Sequence, residues 1–174
     1  MDLTHYNANI FELFLNQWAL LTAGNKEDFN SMTIAWGTMG TLWNKSVITV
    51  YVNPLRYTYD FMNKNDLFTV DFSPAKYRKE LGLMGSRSGR DGDRLKGTSL
   101  TPCFLDNAVH YKEAELSFIC KKLYTQDLVK SSIPQELAKQ FYAPEHQAHR
   151  MYVGEVIDVI QNKEHAYASC GCCG

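Results

Sequence analysis

Val47-Ile-Thr-Val-Tyr-Val52 and Leu67-Phe-Thr-Val-Asp-Phe72 are the two runs on which the fold turns. The first concentrates β-branched residues and the second nearly alternates apolar with polar, both marks of a strand with a buried face. Ser31 to Trp36, just upstream, is extended and apolar and reads as another strand. Between the two runs, Pro54 opens a segment through Arg56, Tyr57, Thr58 and Phe61 to Met62; proline favours a first helical turn, so a short helix is predicted there. Further out, Ile10 to Asn16 suits a short helix, Trp18 to Thr22 an apolar strand, and Gly24-Asn25 the turn after it. Pro74 to Leu83 is helical in pattern, whereas Met84 to Gly97, with four glycines and dense charge, reads as an exposed loop. Tyr111 to Cys120, Lys121 to Leu128 and Met151 to Ile160 alternate as strands, and Pro134 to Phe141 reads as a helix. Many short strands without a regular strand–helix repeat predict a mainly β fold with peripheral helices, an antiparallel barrel closed or nearly so.

The 174 residues suit a single domain with a sizeable core, and an apolar content of 45% with 21% charged residues lies far from that of a disordered chain. Lys plus Arg total 18 against 19 for Asp plus Glu, so no cationic excess exists to follow a nucleic-acid backbone or an anionic membrane. No signal-peptide pattern opens the chain and no apolar run is long enough to span a bilayer, so a cytoplasmic location is expected. Cys103 and Cys120 lie in apolar stretches and are expected in the core.

Asn30-Ser-Met-Thr-Ile-Ala-Trp-Gly37 resembles the N-x-M-T-x-x-W-G signature of the flavoredoxin-like branch of the flavin reductase family. Four further segments fall in the same order: Thr22-Ala-Gly24, the run Val50 to Thr58 ending Arg56-Tyr-Thr58, the run Leu81 to Asp91 containing Ser86-Arg-Ser-Gly-Arg-Asp91, and His149-Arg-Met-Tyr-Val-Gly-Glu-Val156. The resemblance spans roughly Trp18 to Ile160. It implies a Greek-key FMN-binding split β-barrel, a homodimer with non-covalent FMN near the dimer interface, and NADH or NADPH as the electron donor.

An isoalloxazine ring needs backbone and small side-chain partners beside an apolar wall. The resemblance places Asn30, Ser31, Met32 and Thr33 at the ring and ribityl chain with Trp36 beside them; the plain alternative is an edge strand with Trp36 in the core. A flavin phosphate is well held by a guanidinium, a hydroxyl and free N–H groups at a helix start. Arg56 and Thr58 fit that role, the alternative being a solvated arginine and a capping threonine. Ser88 and Arg90 are the candidates for flavin or nicotinamide contact in the glycine-rich loop, which otherwise is a solvated surface segment, with Asp91 paired to a neighbouring arginine. His149 is the candidate catalytic residue, on the substrate side, steering a nicotinamide or tuning the ring; Glu155 is expected to pair at the barrel or dimer contact.

Two functions use such a pocket. One is an NAD(P)H-dependent flavin oxidoreductase passing electrons through FMN, and the other a flavoredoxin-type electron carrier that keeps its FMN and reduces a partner protein. Arg56, Thr58 and the 30–33 run argue against a barrel given over to haem or a pyridoxal-type phosphate. No G-x-G-x-x-G follows a strand, so a Rossmann dinucleotide domain is not expected. The tail holds Cys170, Cys172 and Cys173, close enough to form a local disulfide or bind a soft metal ion with His165, or to serve as plain structural thiols.

Overall fold

The structure, a computed structural model, describes residues 3–105 and 107–162, and of Thr4 and Asp91 the backbone alone. Along it run β1 (Ala19–Gly24), β2 (Phe29–Ile34), β3 (Gly37–Leu42), β4 (Lys45–Val52), α1 (Tyr57–Lys64), β5 (Leu67–Phe72), α2 (Arg78–Ser86), β6 (Pro102–Leu105), β7 (Ala108–Tyr111), β8 (Leu116–Asp127), α3 (Gln135–Phe141) and β9 (Arg150–Gln161). Seven strands form one antiparallel sheet in the order β2-β1-β5-β8-β9-β4-β3, and β6 with β7 makes a separate ribbon. The mainly β architecture with marginal helices therefore matches the sequence reading. His165, Cys170, Cys172 and Cys173 lie outside the described residues.

β8 and β9 are each twelve residues long, and their register shifts between Ile119 and Cys120 and again between Lys122 and Tyr124. Such bulges bend a strand and raise its twist, which lets the sheet curl around a core that includes Leu21, Val50, Phe68, Val70, Phe72, Phe118 and Tyr152. Phe72 meets Phe14 and Phe118 edge-on, with centroids 5.3 and 6.2 Å away. Gly154 on β9 lies under Phe68: a Cβ there would sit 2.5 Å from Phe68 Cζ and 2.8 Å from Cys120 Cβ, so the glycine of the 149–156 motif is needed for close approach.

Several sequence expectations change. The helix predicted over 10–16 is a π-helical turn, Glu12–Gln17, that buries Phe14 and leaves Phe11 85% and Leu15 65% exposed. Strand β3 was not expected; its hairpin with β4 turns on Trp43 and Asn44, both at positive φ (51° and 58°), without the glycine that usually marks such a turn. The predicted pair of strands over 111–128 is one bulged strand, β8, with Tyr111 belonging to β7. Helix α2 runs on to Ser86, into the segment read as loop. Cys120 is fully buried, but Cys103 is only half-buried, because a two-stranded ribbon leaves part of its surface to solvent. Glu155 accepts from Lys45 Nζ at 2.7 Å, joining neighbouring strands β9 and β4.

A polar seam runs beneath the β6–β7 ribbon. Thr22 Oγ1 and Ser31 Oγ are 2.8 Å apart, and Ser31 Oγ lies 2.7 Å from Tyr111 OH. On β5, Asp71 is fully buried between Leu20 of β1 and Ser117 of β8. Burial pushes its carboxyl up to about 8, opposed by the hydroxyls of Ser117 and Thr69 and the amide of Tyr111. Neither carboxylate oxygen has a hydrogen bond of normal geometry, so desolvation prevails. Among the described residues no helix is long and apolar enough to cross a membrane, and no cluster of three His, Cys, Asp or Glu side chains is poised for a metal ion.

Candidate functional site

Strand β2 ends at Ile34 and the chain crosses through Ala35 and Trp36 to β3 on the far edge of the sheet. This crossing forms one wall of a cleft of about 380 Å³ lined by Met32 to Trp36, Tyr51, Asn53, Arg56 and His149. Three of the sequence motifs, distant along the chain, thus meet in a single space.

Arg56 stands immediately before α1, as its N-cap residue in extended conformation. Asn53 prepares the turn: its Oδ1 accepts from Leu55 N at 2.9 Å, and Asn53 O accepts from Arg56 N at 2.9 Å. The Arg56 guanidinium is exposed, and no carboxylate within salt-bridge distance of it occurs among the described residues. A guanidinium with no carboxylate partner among the described residues, set at the positive end of a helix, is suited to hold an anion.

The Trp36 side of the cleft is aromatic. Trp36, 41% exposed, has its ring 4.9 Å from the His149 imidazole and 5.4 Å from Phe141, which meets it edge-on. His149 Nδ1 lies 3.0 Å from Tyr142 OH. Burial, and then the nearby positive charge of Arg56, lower the His149 pKa from its ordinary value, so the imidazole is neutral at physiological pH.

Asn30 and Ser31 line a different cleft, of about 330 Å³, together with Tyr57, Gly89, Arg94 and Tyr111. The orientation of the Asn30 amide that satisfies its neighbours turns the oxygen toward Thr58 Oγ1 (2.6 Å), Thr58 N (3.2 Å) and Arg94 Nη1 (3.3 Å). Thr58 is fully buried, so its hydroxyl is engaged by Asn30 inside the protein. Gly89 packs where any Cβ would collide with Asn30 and with Tyr57 Cδ1. Thr33 lines the first cleft, while its hydroxyl donates to Leu81 O of α2 at 2.6 Å.

Ser88 caps a short 3-10 turn by accepting from Arg90 N at 3.2 Å. Arg90 reaches α1: Nη1 donates to Leu55 O at 3.1 Å, Nη2 to Asp60 Oδ2 at 3.0 Å, and the guanidinium lies 5.1 Å from the Tyr57 ring centre. Neither lines the cleft with His149. Arg94 was not singled out from the sequence. It is nearly buried, and its guanidinium donates to Ser31 O, Met84 O and Arg87 O, tying the loop to β2 and to the end of α2. Its place in a run of charge made it look like one more solvated arginine. Tyr142 was missed as well, because nothing in its local sequence links it to His149.

The chain matches the flavin reductase like domain over residues 11–169. It is a member of the flavin reductase like family. Solved structures agree on the fold. A flavoredoxin from Methanosarcina acetivorans is similar with a TM-score of 0.67 at 22% identity, the alignment covering 91% of this chain and 75% of that one. An FMN-binding protein from Thermus thermophilus, with bound 1-cyclohex-2-enone, gives 0.67 at 18% identity, covering 90% and 79%. The flavin reductase of a styrene monooxygenase from Pseudomonas putida S12 gives 0.63 at 14% identity, covering 84% and 80%. Among curated proteins nothing matches. The fold of this flavin reductase like protein is thus the split barrel of those relatives.

Proposed function

We propose that the protein is an NAD(P)H-dependent flavin oxidoreductase that passes electrons through non-covalently bound FMN seated in the cleft between β2 and His149. The observation that carries this reading is that Arg56, with no carboxylate partner among the described residues, shares one cleft with the end of β2, Trp36 and His149. FMN asks for an apolar wall, polar partners along the ring edge and a cationic hold on its phosphate. Trp36 and Met32 supply the first, the backbone of 32–36 with Thr33 the second, and the Arg56 guanidinium the third.

Bound FMN would supply the hydride and single-electron chemistry. The chain's own residues bind, orient and exclude water. Asn30 holds Thr58, and Arg90, its own turn capped by Ser88, braces the 55–60 segment, so that Arg56 is presented from a fixed turn. His149, neutral and half-buried, offers a hydrogen-bonding nitrogen to a ligand entering over Trp36. Leu55, Leu137 and Phe141 are exposed apolar side chains that a second copy of the chain would cover in a homodimer.

The test is an absorbance spectrum of the purified protein, followed anaerobically after addition of NADH and then NADPH. Flavin bands that bleach within the mixing time support the reductase. Bands that persist with both donors assign the protein to the electron-carrier class, and a colourless protein that also fails to take up added FMN refutes the reading. Arg56→Ala is expected to weaken FMN binding by about 1.5–3 kcal/mol, the worth of a charge-assisted contact; unchanged affinity in a flavin titration removes Arg56 from the site.

A further inference from the structure

We propose that Tyr142 is a positioning residue for His149, its phenolic hydroxyl donating to Nδ1 so that Nε2–H is presented to the cleft as a donor for the carbonyl oxygen of a planar ring substrate. The inference rests on the reading that this cleft is the site of electron exchange.

The contact is built and not incidental. Tyr142 follows α3 directly, is nearly buried, and donates its backbone N–H to Ala138 O at 2.9 Å. The turn after it is held by Lys130, whose ammonium donates to Ala143 O (2.7 Å), Pro144 O (3.0 Å) and His146 O (2.9 Å). At the far end, Leu128 N donates to His149 O at 2.9 Å. Both members of the pair are thus pinned by backbone, and the Tyr142 and His149 rings meet with centroids 5.5 Å apart.

The direction of the hydrogen bond follows from chemistry. A phenol is a good donor and a poor acceptor, and a neutral imidazole carries one strong acceptor nitrogen. Tyr142 OH therefore donates to Nδ1, and the ring proton resides on Nε2. No partner for Nε2 occurs among the described residues, while the ring itself lines the cleft beside Trp36. A donor on an aromatic wall selects a flat ring that carries a carbonyl group. The carboxamide of a nicotinamide and the carbonyl of a conjugated ketone share that chemistry.

Tyr142→Phe keeps the ring and removes the hydroxyl. In the flavin-free protein, titration of His149 followed by NMR is expected to show a higher pKa in the variant, because a donor to Nδ1 favours the neutral ring. A lower or unchanged value overturns the assigned direction. In the FMN-loaded protein, KM for NADH, or for 2-cyclohexenone under turnover with NADPH, is expected to rise roughly tenfold, the worth of one hydrogen bond, with FMN affinity unchanged. A rise with NADH alone, or with the ketone alone, says which carbonyl the donor serves; unchanged KM for both refutes the positioning role. Wild-type protein that binds no FMN would refute the functional reading and the substrate role, and the NMR arm would still decide the Tyr142–His149 contact.

Discussion

Asp71→Asn is expected to stabilise the protein at neutral pH and to leave it little changed in acid. In the folded chain the buried carboxyl titrates near 8, against an ordinary value of 3.8. A raised folded-state pKa contributes stability below the unfolded value and loses it as pH rises toward the folded one. The unfolded chain releases its proton near pH 4 while the native chain keeps it until pH 8, so every pH unit between them favours unfolding by about 1.4 kcal/mol. Between pH 5 and pH 7 this one group removes roughly 3 kcal/mol from the wild type. Asparagine does not titrate. The gap between the two proteins should therefore widen by that amount, which for a chain of this size is a shift of about 1.5 M in urea midpoint.

Other groups complicate the wild-type curve alone but cancel in the comparison. His110 and His149 have lowered pKa values, from burial first, and their contribution is lost as pH falls through the ordinary histidine range. Asp127, held low by its hydrogen bond to Arg150, loses its contribution at still lower pH. Both effects run opposite to Asp71 and occur in both proteins. The assay is urea unfolding of each, without added flavin, at unit steps from pH 5 to pH 8. A stability difference that stays constant across that range would mean that Asp71 is ionised in the native state, and the reasoning from burial and missing partners would be wrong.

Two further outcomes are expected. Gly154→Ala should cost about 1–3 kcal/mol by urea unfolding, since the new methyl meets Phe68 and Cys120 in a packed core; a neutral result would mean that β9 can shift away from β8 there. Trp43→Asn should raise stability by about 0.5–1 kcal/mol in the same assay, because asparagine accepts the positive φ that Trp43 now adopts and the indole is largely exposed; a loss would show that Trp43 packs against something worth more than the turn.

The strands with a buried face were legible because their side-chain period is visible one residue at a time: 47–52 and 67–72 fall inside β4 and β5. β3 escaped for the converse reason. Gly37 and Gly40 interrupt its pattern, none of its residues is fully buried, and its turn lacks the usual glycine. The break between 120 and 121 was misplaced because a bulge resets the alternation inside one continuous strand, which looks from sequence alone like two strands. Arg56 and His149 were readable as candidate site residues from their motifs, and the fold brings both to one cleft. Their meeting with Tyr142 was not, since a contact between the end of α3 and the residue before β9 leaves no periodic trace.

Strand β2 explains why the motif residues separate in space although they adjoin in sequence. Asn30 and Ser31 face the interior cleft, while Met32 and the residues after it line the cleft with His149. The interior group does not reach outward; it fastens β2 to everything that shapes the outer group. Asn30 engages the hydroxyl and amide of Thr58 at the start of α1, Arg94 takes the carbonyl of Ser31, and Gly89 closes on Asn30 and Tyr57. Arg90 then grips Leu55 and Asp60 on either side of Arg56. A pattern shared along the chain can thus arise from residues that hold one another as readily as from residues that hold a ligand. In this barrel the first set fixes the turn that carries Arg56, and Arg56 with the 32–36 wall is the surface on which the proposed cofactor site rests.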